Sequence, residues 1–256
     1  MLNKAACQNV PHESDDHKNI KRIGLVVLNT DETIEPAINE IIRMPEAVVL
    51  VNRIIFAGEI NQKTLMGLGE DLERCVSEIL PDQDLDVVIF GCSSGTVAIG
   101  EAEVARKIAN FKSQARVTNP MTAAIAAMRA LKASSISILT PYPTNVTETI
   151  RDFYEEKGIS VLSLGTFGTS HDYEIPCISR ESIIRGARSI CQEGTEAVFL
   201  SCTALRASAI AQEIEDELGI PVITSNQAIA WHALRLCGHD EAIHGFGRLL
   251  RLPLTG

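Results

Sequence analysis

The chain has 256 residues, of which 45% are hydrophobic and 22% charged, and its formal net charge is −10. This composition is typical of globular proteins and excludes a disordered or collagen-like chain. The 23 Lys and Arg residues are scattered among 33 acidic ones, which argues against an extended nucleic-acid surface. No apolar run approaches the ~18 residues of a membrane span, and no signal-peptide pattern is present. We therefore expect a cytoplasmic protein that binds neither nucleic acid nor membrane.

The seven cysteines form no C-x-x-C pair, and their number is odd. This pattern predicts neither a disulfide framework nor a zinc site, so we expect no metal. Cys75, Cys191 and Cys237 lie in amphipathic helical patterns, where small buried thiols commonly fill space. Cys92 and Cys202 differ from them, because each ends a predicted strand and precedes a hydroxyl residue.

The segments around these two cysteines resemble each other. They read Asp86-Val87-Val88-Ile89-Phe90-Gly91-Cys92-Ser93 and Glu196-Ala197-Val198-Phe199-Leu200-Ser201-Cys202-Thr203. Four consecutive apolar residues between polar flanks predict a buried parallel strand. Each cysteine then lies just past the carboxyl end of its strand, where open α/β sheets bind their ligands.

Strands and helices alternate along the rest of the chain. The first 20 residues are polar and aperiodic and are predicted to form a flexible tail. The patterns predict strands at 22–28, 47–54, 87–90, 135–140, 159–164, 197–200 and 221–224. They predict helices at 34–43, 62–80, 96–109, 121–131, 146–157, 179–192 and 205–218, with a last helix from 225.

This alternation predicts an α/β fold of parallel sheets with helices on both faces. Cys92 and Cys202 are 110 positions apart, and Leu28 and Leu139, which each precede a polar turn, are 111 apart. A nearly constant offset indicates two similar doubly wound parallel-sheet domains, related by pseudo-twofold symmetry, with the active site in the cleft between them. We expect a first domain at 21–118, with 222–256 packing back onto it, and a second domain at 119–221.

Four strand-end turns would meet in this cleft, at residues 29–33, 92–96, 141–145 and 202–204. We expect both thiols at helix N-termini, which would lower their pKa and favour the thiolate. Two sulfurs on opposite faces of a small acid could remove a proton and return it, which is racemisation. Alternatively, one sulfur could add to a double bond while the other transfers the proton.

Several motifs together resemble one superfamily. They are Gly91-Cys92-Ser93-Ser94-Gly95-Thr96, Ser201-Cys202-Thr203, Asp31-Glu32-Thr33-Ile34-Glu35-Pro36 and Thr140-Pro141-Tyr142. Over about residues 21–240 the chain resembles the aspartate/glutamate racemase superfamily, in its branch of maleate cis-trans isomerase, arylmalonate decarboxylase and ectoine-utilisation protein A. The resemblance implies chemistry without a cofactor on a small carboxylic acid, and a homo-oligomer.

The resemblance also implies roles for the two cysteines. Arylmalonate decarboxylases keep only the second cysteine, so the presence of both favours an isomerase or a racemase. By similarity to maleate isomerases, Cys92 would add to C2 of maleate, and the former double bond could then rotate. Cys202 would act as general acid and base, and elimination would release fumarate.

Further residues are predicted to bind the substrate. Hydroxyl and backbone N–H groups after the strands would bind a carboxylate, and the resemblance implies that Tyr142 contacts it. His171 falls in a loop where the family has another polar contact. The predicted substrate-binding residues are Asp31, Ser93, Ser94, Tyr142, Asn145, His171 and Thr203.

Asp31 departs from the pattern, because maleate isomerases usually carry an asparagine there. An ionised aspartate donates no hydrogen bond and repels a dianion, so it would suit an amine or amidine better than maleate. Alternatively, Asp31 caps a helix and points away from the cleft. Three functions stay open: isomerisation of a small unsaturated diacid, a two-cysteine racemase, epimerase or ectoine-utilisation-type enzyme, and non-catalytic binding of a small acid.

Overall fold

The computed structural model of the chain describes residues 7–13 and 19–255. The predicted flexible tail, residues 1–20, therefore lies partly outside the described residues. Residues 7–13 are exposed and belong to no helix or strand. Among the described residues, no helix is both long and apolar enough to cross a membrane.

The N-terminal half forms one parallel sheet with strand order β2-β1-β3-β4. Its elements are β1 (Lys21–Leu28), α1 (Ile34–Ile41), β2 (Ala47–Ile54), α2 (Gln62–Glu78), β3 (Val87–Phe90), α3 (Ser93–Ile99), α4 (Glu101–Ala109) and β4 (Arg116–Thr118). The sequence did not predict β4, which has only three residues.

The C-terminal half repeats this arrangement in a second parallel sheet of order β6-β5-β7-β8. Its elements are α5 (Pro120–Leu131), β5 (Ser135–Thr140), α6 (Thr144–Glu156), β6 (Ser160–Thr166), α7 (Arg180–Ile190), β7 (Ala197–Leu200), α8 (Ala211–Leu218), β8 (Val222–Thr224) and α9 (Ser225–Leu236). In both sheets the second strand lies outside the first, and the third lies on its other side. The predicted α/β fold of two similar parallel-sheet units is confirmed.

The strands that precede the two cysteines occupy the same interior position in their sheets. β3 pairs with β1 and β4, and β7 pairs with β5 and β8. Every residue of β3 and β7 is buried, because neighbouring strands and covering helices surround them. Their short apolar runs are therefore typical of interior strands, whereas the edge strand β2 is mostly half-exposed.

The last helix, α9, joins the two halves. It packs against α1, α5, β3, β4 and β8. Its Trp231 is fully buried, and the indole N–H donates to the carbonyl of Leu252 at 2.8 Å. β8 lies in the second sheet, although the predicted boundaries assign residues from 222 onward to the first domain. Those boundaries stay a prediction.

Two predicted helices differ from those in the structure. The helix predicted at 96–109 is divided into α3 and α4 at Gly100, where φ is +93°. The helix predicted at 205–218 becomes regular only at Ala211, after a 3₁₀ turn at Ser208–Ile210. The side chain of Thr33 donates to the carbonyl of Ala204 at 2.9 Å. Because this contact occupies a carbonyl at the predicted start of the helix, it favours a later start for α8.

We expect Gly91→Ala to destabilise the fold, because Gly91 turns the chain between β3 and Cys92. A Cβ at this position would lie 2.5 Å from Cδ1 of Ile34 and 3.2 Å from the carbonyl oxygen of Val26. The predicted loss is about 1–3 kcal/mol in the free energy of unfolding, measured by urea titration.

Gly67→Ala is the matched control, because a Cβ at this exposed position of α2 would meet nothing within 4 Å. There the exchange should stabilise the protein by up to ~1 kcal/mol through helix propensity. Equal urea midpoints for Gly91→Ala and the wild type would contradict the tight packing of this turn.

Candidate active site

Cys92 begins α3 and is 4% exposed. Its sulfur accepts the backbone N–H of Gly95 at 3.2 Å and lies 3.9 Å from the hydroxyl of Ser94. A Cβ on residue 95 would lie 2.9 Å from this sulfur and 2.9 Å from Cδ1 of Leu68. Glycine at this position therefore allows the helix backbone to approach the sulfur.

Cys202 occupies the equivalent position after β7 and is 3% exposed. The residues that follow it form turns, so it does not lie at a helix N-terminus. The prediction of a helix N-terminus at both cysteines is thus wrong for Cys202. The hydroxyl of Tyr142 and the backbone N–H of Ala204 lie close to its sulfur and partly offset the cost of charging it.

Tyr142 connects the two cysteines in space. It is 3% exposed, and its pKa is raised by burial first and then by the nearby charges of Cys202 and Cys92. Its hydroxyl also interacts with Ser94, which in turn contacts Cys92. The structure therefore brings both thiols into one site, with two hydroxyl groups between them.

Asp31 contributes a buried carboxyl group, with 2% of the residue exposed. Its Oδ1 accepts the backbone N–H groups of Thr33 at 2.8 Å and Ile34 at 2.9 Å, at the start of α1. Its Oδ2 is buried and has no hydrogen-bond partner among the described residues. One oxygen thus caps the helix. The carboxyl group as a whole lies close enough to the Thr203 hydroxyl to have its pKa lowered by it, and its charge raises the pKa of both thiols.

Asp172 brings a second carboxyl group from the other half of the chain and is 6% exposed. Its Oδ2 accepts the hydroxyl of Thr30 at 2.5 Å, which links the two halves. Among charged groups, Asp172 raises the pKa of Cys92 and Cys202 more than Asp31 does.

Burial dominates the ionisation of the site. It is the largest cause in raising the pKa of Cys92 to about 12, that of Asp172 to about 6, and that of Cys202 and Asp31 above their usual values. The prediction that a helix N-terminus lowers the pKa of both thiols is therefore wrong. For Cys92 the desolvation cost exceeds the stabilisation from the Gly95 N–H.

Arg53 brings a positive charge close to Asp31, whose pKa it lowers, but its guanidinium does not contact the titrating groups of the site. The guanidinium of Arg53 donates to the backbone carbonyl of Asp31 at 3.0 Å and pairs with Glu35 at 2.5 Å. Within the described ranges, no Lys or Arg side chain hydrogen-bonds to the two thiols, Tyr142 or the two carboxyl groups. Across the same residues, no three His, Cys, Asp or Glu side chains are placed to hold a metal ion.

Most of the residues predicted from sequence meet here, but three do not point into the cluster. The hydroxyl of Ser93 pairs with that of Ser225 at 2.9 Å. Asn145 is exposed and lines a surface pocket with Met66. His171 is half-buried and stacks on Tyr173, with ring centroids 5.3 Å apart.

Two residues of the site were not among those predicted from sequence. Asp172 follows His171, and the turn of the loop buries the aspartate instead of the histidine. Asn226 follows β8, and its amide donates to the carbonyl of Thr203 at 2.8 Å. Its Oδ1 is buried without a partner among the described residues. The rule that strand ends carry ligand-binding side chains would have selected Asn226.

Comparison with known proteins relates this site to two enzymes. A sequence model of the arylmalonate decarboxylase family matches residues 101–250. The maleate isomerase of Nocardia farcinica is 29% identical over 242 residues, covering 91% of this chain and 96% of that protein. The arylmalonate decarboxylase of Bordetella bronchiseptica is 27% identical over 139 residues, covering 52% of this chain and 56% of that protein.

Solved structures agree with these matches. A cysteine-to-serine mutant of the Nocardia farcinica maleate cis-trans isomerase, with a covalently bound succinylcysteine intermediate, superimposes with a TM-score of 0.84 at 28% identity. The match covers 91% of this chain and 98% of that one. The resemblance inferred from the motifs is confirmed. Because the matched family region spans more than half of the chain, the protein belongs to the arylmalonate decarboxylase family.

Proposed function

We propose that the protein is a cis-trans isomerase of a small unsaturated carboxylic acid, of the maleate-to-fumarate type. Cys92 forms a covalent adduct with the substrate, and Cys202 is the general acid and base. The observation that carries this proposal is the enclosure of both thiols in one site around Tyr142. The similarity to maleate isomerases, one of which was captured as a succinylcysteine, supports the same chemistry.

In the proposed reaction the sulfur of Cys92 attacks C2 of the cis double bond. The π electrons move to C3, which takes the proton of Cys202. The bond between C2 and C3 is then single and rotates. Removal of the C3 proton by the thiolate of Cys202 expels the sulfur of Cys92 and forms the trans double bond.

This cycle needs no external base, because one proton exchanges between the two thiols. When Cys202 gives its proton to C3, the proton of Cys92 replaces it. During elimination Cys202 returns that proton to the departing sulfur of Cys92 and, as the thiolate so formed, takes the proton from C3. Both thiols are neutral when buried, so a thiolate forms only as the reaction proceeds. The hydroxyls of Ser94 and Tyr142 offer a route for this proton and, with Thr203, bind the substrate carboxylate.

Substrate must enter a site that is closed in this structure. Two loops, one from each half, meet over it through an antiparallel bridge between Glu59 and His171. The backbone N–H of Ile60 donates to Ser170 and that of Asp172 to Gly58, both at 2.8 Å. Opening of these contacts would admit the substrate, and closure would exclude water during the reaction.

Racemisation of an amino acid is the second candidate, because the carboxyl groups of Asp31 and Asp172 would suit an ammonium group. Solvent deuterium appearing at the α-carbon of an amino acid would support it. Binding of a small acid without turnover would instead support a non-catalytic role. We further propose a cytoplasmic homo-oligomer that uses no cofactor or metal and binds neither nucleic acid nor membrane.

The roles of the cysteines predict different outcomes for two variants incubated with maleate. Cys92→Ser should form no adduct, whereas Cys202→Ser should gain the mass of one maleic acid on the peptide that contains Cys92. Turnover, followed by the vinyl protons of fumarate in NMR spectra, should fall on the order of 10⁴-fold in both.

Cys191→Ser is the control, because this half-buried cysteine ends α7, outside the cluster. It should retain wild-type turnover. An adduct on any cysteine other than Cys92, or normal turnover in either active-site variant, would refute the assigned roles.

Asp172→Asn should stabilise the protein at neutral pH. Burial raises the pKa of Asp172 from 3.8 to about 6. The protonated side chain therefore contributes favourably to the free energy of unfolding below pH 3.8, and this contribution is lost as the pH rises through about 6. Asparagine stays neutral and can still accept the hydroxyl of Thr30. The free energy of unfolding of the variant minus that of the wild type should therefore increase by about 2–3 kcal/mol when the pH is raised from 4 to 7.5.

Urea unfolding at both pH values measures this gain, and Asp84→Asn, at an exposed position, corrects for the change in net charge. A difference between variant and wild type that does not change with pH would contradict the buried, partly desolvated state of Asp172.

A further inference from the structure

We propose that the site selects a small acid with an N–H donor group, such as a primary amide, at the end that faces Asp31, in place of a second carboxylate. The inference rests on the proposed function and names its substrate class. Asp31 would then be the residue that sets specificity, through its buried and unpartnered Oδ2.

The orientation of the Asp31 carboxyl group is fixed by its other oxygen. Because Oδ1 accepts two backbone N–H groups at the start of α1, the side chain cannot rotate without breaking both bonds. Oδ2 is therefore held in one place, on a carboxyl group that lies close enough to Thr203 and the two thiols to affect or be affected by their ionisation. A buried carboxylate oxygen without a donor is unfavourable, and a ligand that supplies an N–H group would relieve this cost.

Neighbouring hydroxyl groups offer Oδ2 little. The hydroxyl of Thr203 lies close enough to lower the pKa of Asp31, but its geometry in this structure favours a long bond to the carbonyl of Gly91 at 3.3 Å. The hydroxyl of Thr33 donates to the carbonyl of Ala204 at 2.9 Å, and that of Thr30 to Asp172. Among the described residues Oδ2 therefore has at most a shared hydroxyl as donor, which an N–H group of the ligand could supplement.

A second acceptor without a partner belongs to a residue that contacts Thr203. Oδ1 of Asn226 is buried without a partner among the described residues, while its amide nitrogen is fixed by the carbonyl of Thr203. Asp31 and Asn226 therefore each bring an acceptor to a position that adjoins Thr203. A primary amide or amine has several hydrogens to donate, whereas a carboxylate has only acceptor oxygens.

Charge favours the same substrate class. The carboxyl group of Asp172 also faces both thiols, and the nearby guanidinium of Arg53 is neutralised by Glu35. A dicarboxylate would bring a second negative charge against Asp31 without a compensating cation. A monoamide of the same length keeps one carboxylate for Tyr142 and presents N–H groups to Asp31.

Binding of two unreactive analogues, succinamate and succinate, tests the inference without requiring catalysis. Isothermal titration calorimetry of the wild type should give a dissociation constant at least about 10-fold lower for succinamate than for succinate. Succinate cannot donate to Asp31, and one charge-assisted hydrogen bond corresponds to a difference of this size. Asp31→Asn keeps an oxygen for the N–H groups of Thr33 and Ile34 and presents an amide to the ligand. The preference should therefore reverse in this variant.

Glu32→Gln is the matched control, because Glu32 is exposed in the same turn and its exchange removes the same charge. It should leave both dissociation constants unchanged. Wild-type protein that binds succinate as tightly as succinamate, or binds neither, would overturn the inference. So would an Asp31→Asn variant that loses affinity for both acids equally.

Turnover of maleamate and maleate separates this inference from the proposed function. In wild-type protein kcat/KM should be higher for maleamate, and Asp31→Asn should shift the ratio toward maleate. If neither acid reacts or forms an adduct at Cys92, the proposed isomerisation fails. The binding measurement alone would then decide whether the site prefers succinamate.

Discussion

The burial of two thiols and two carboxyl groups at one point between the sheets is the constraint on which the site depends. Desolvation is the largest influence on the pKa of Cys92, Cys202, Asp31 and Asp172. The two thiols are therefore neutral near pH 7, while burial makes the charged form of the two carboxyl groups costly. Two neutral thiols can exchange a proton through the reaction without a permanent charge, which fits an enclosed site where no Lys or Arg side chain of the described residues hydrogen-bonds to the reacting groups.

The fold creates this point by repetition. In each sheet an interior parallel strand ends two residues before a cysteine, so two similar strand ends meet where the halves face each other. Contacts between the halves hold the turns together, including the bond from Thr30 to Asp172 and that from Thr203 to Gly91. Helix α9 packs against elements of both halves and supports the same arrangement.

The sequence predicted the elements and strand-end residues well, because strand ends are marked by short apolar runs and by the small and hydroxyl residues after them. Cys92 and Cys202 were found in this way, whereas Tyr142 and Asp31 were found through the resemblance of their motifs to a known family. Loop paths were less predictable. Asn145 and His171 are close in sequence to the site, but helix α6 and the Glu59–His171 bridge direct them elsewhere. The direction of the thiol pKa was also missed, because burial depends on the packing of both halves.

Cross-linking of the two sulfurs tests the central claim most directly. A variant in which the exposed cysteines are replaced, Cys7→Ser with Cys177→Ser, would be treated with one equivalent of 1,3-dibromoacetone, a three-carbon reagent that joins two thiols, then digested and mapped by mass spectrometry. The account predicts one dominant product, in which the peptides containing Cys92 and Cys202 are joined by a single acetone bridge. Separate alkylation of the two cysteines, or a bridge to a different cysteine, would contradict a shared site.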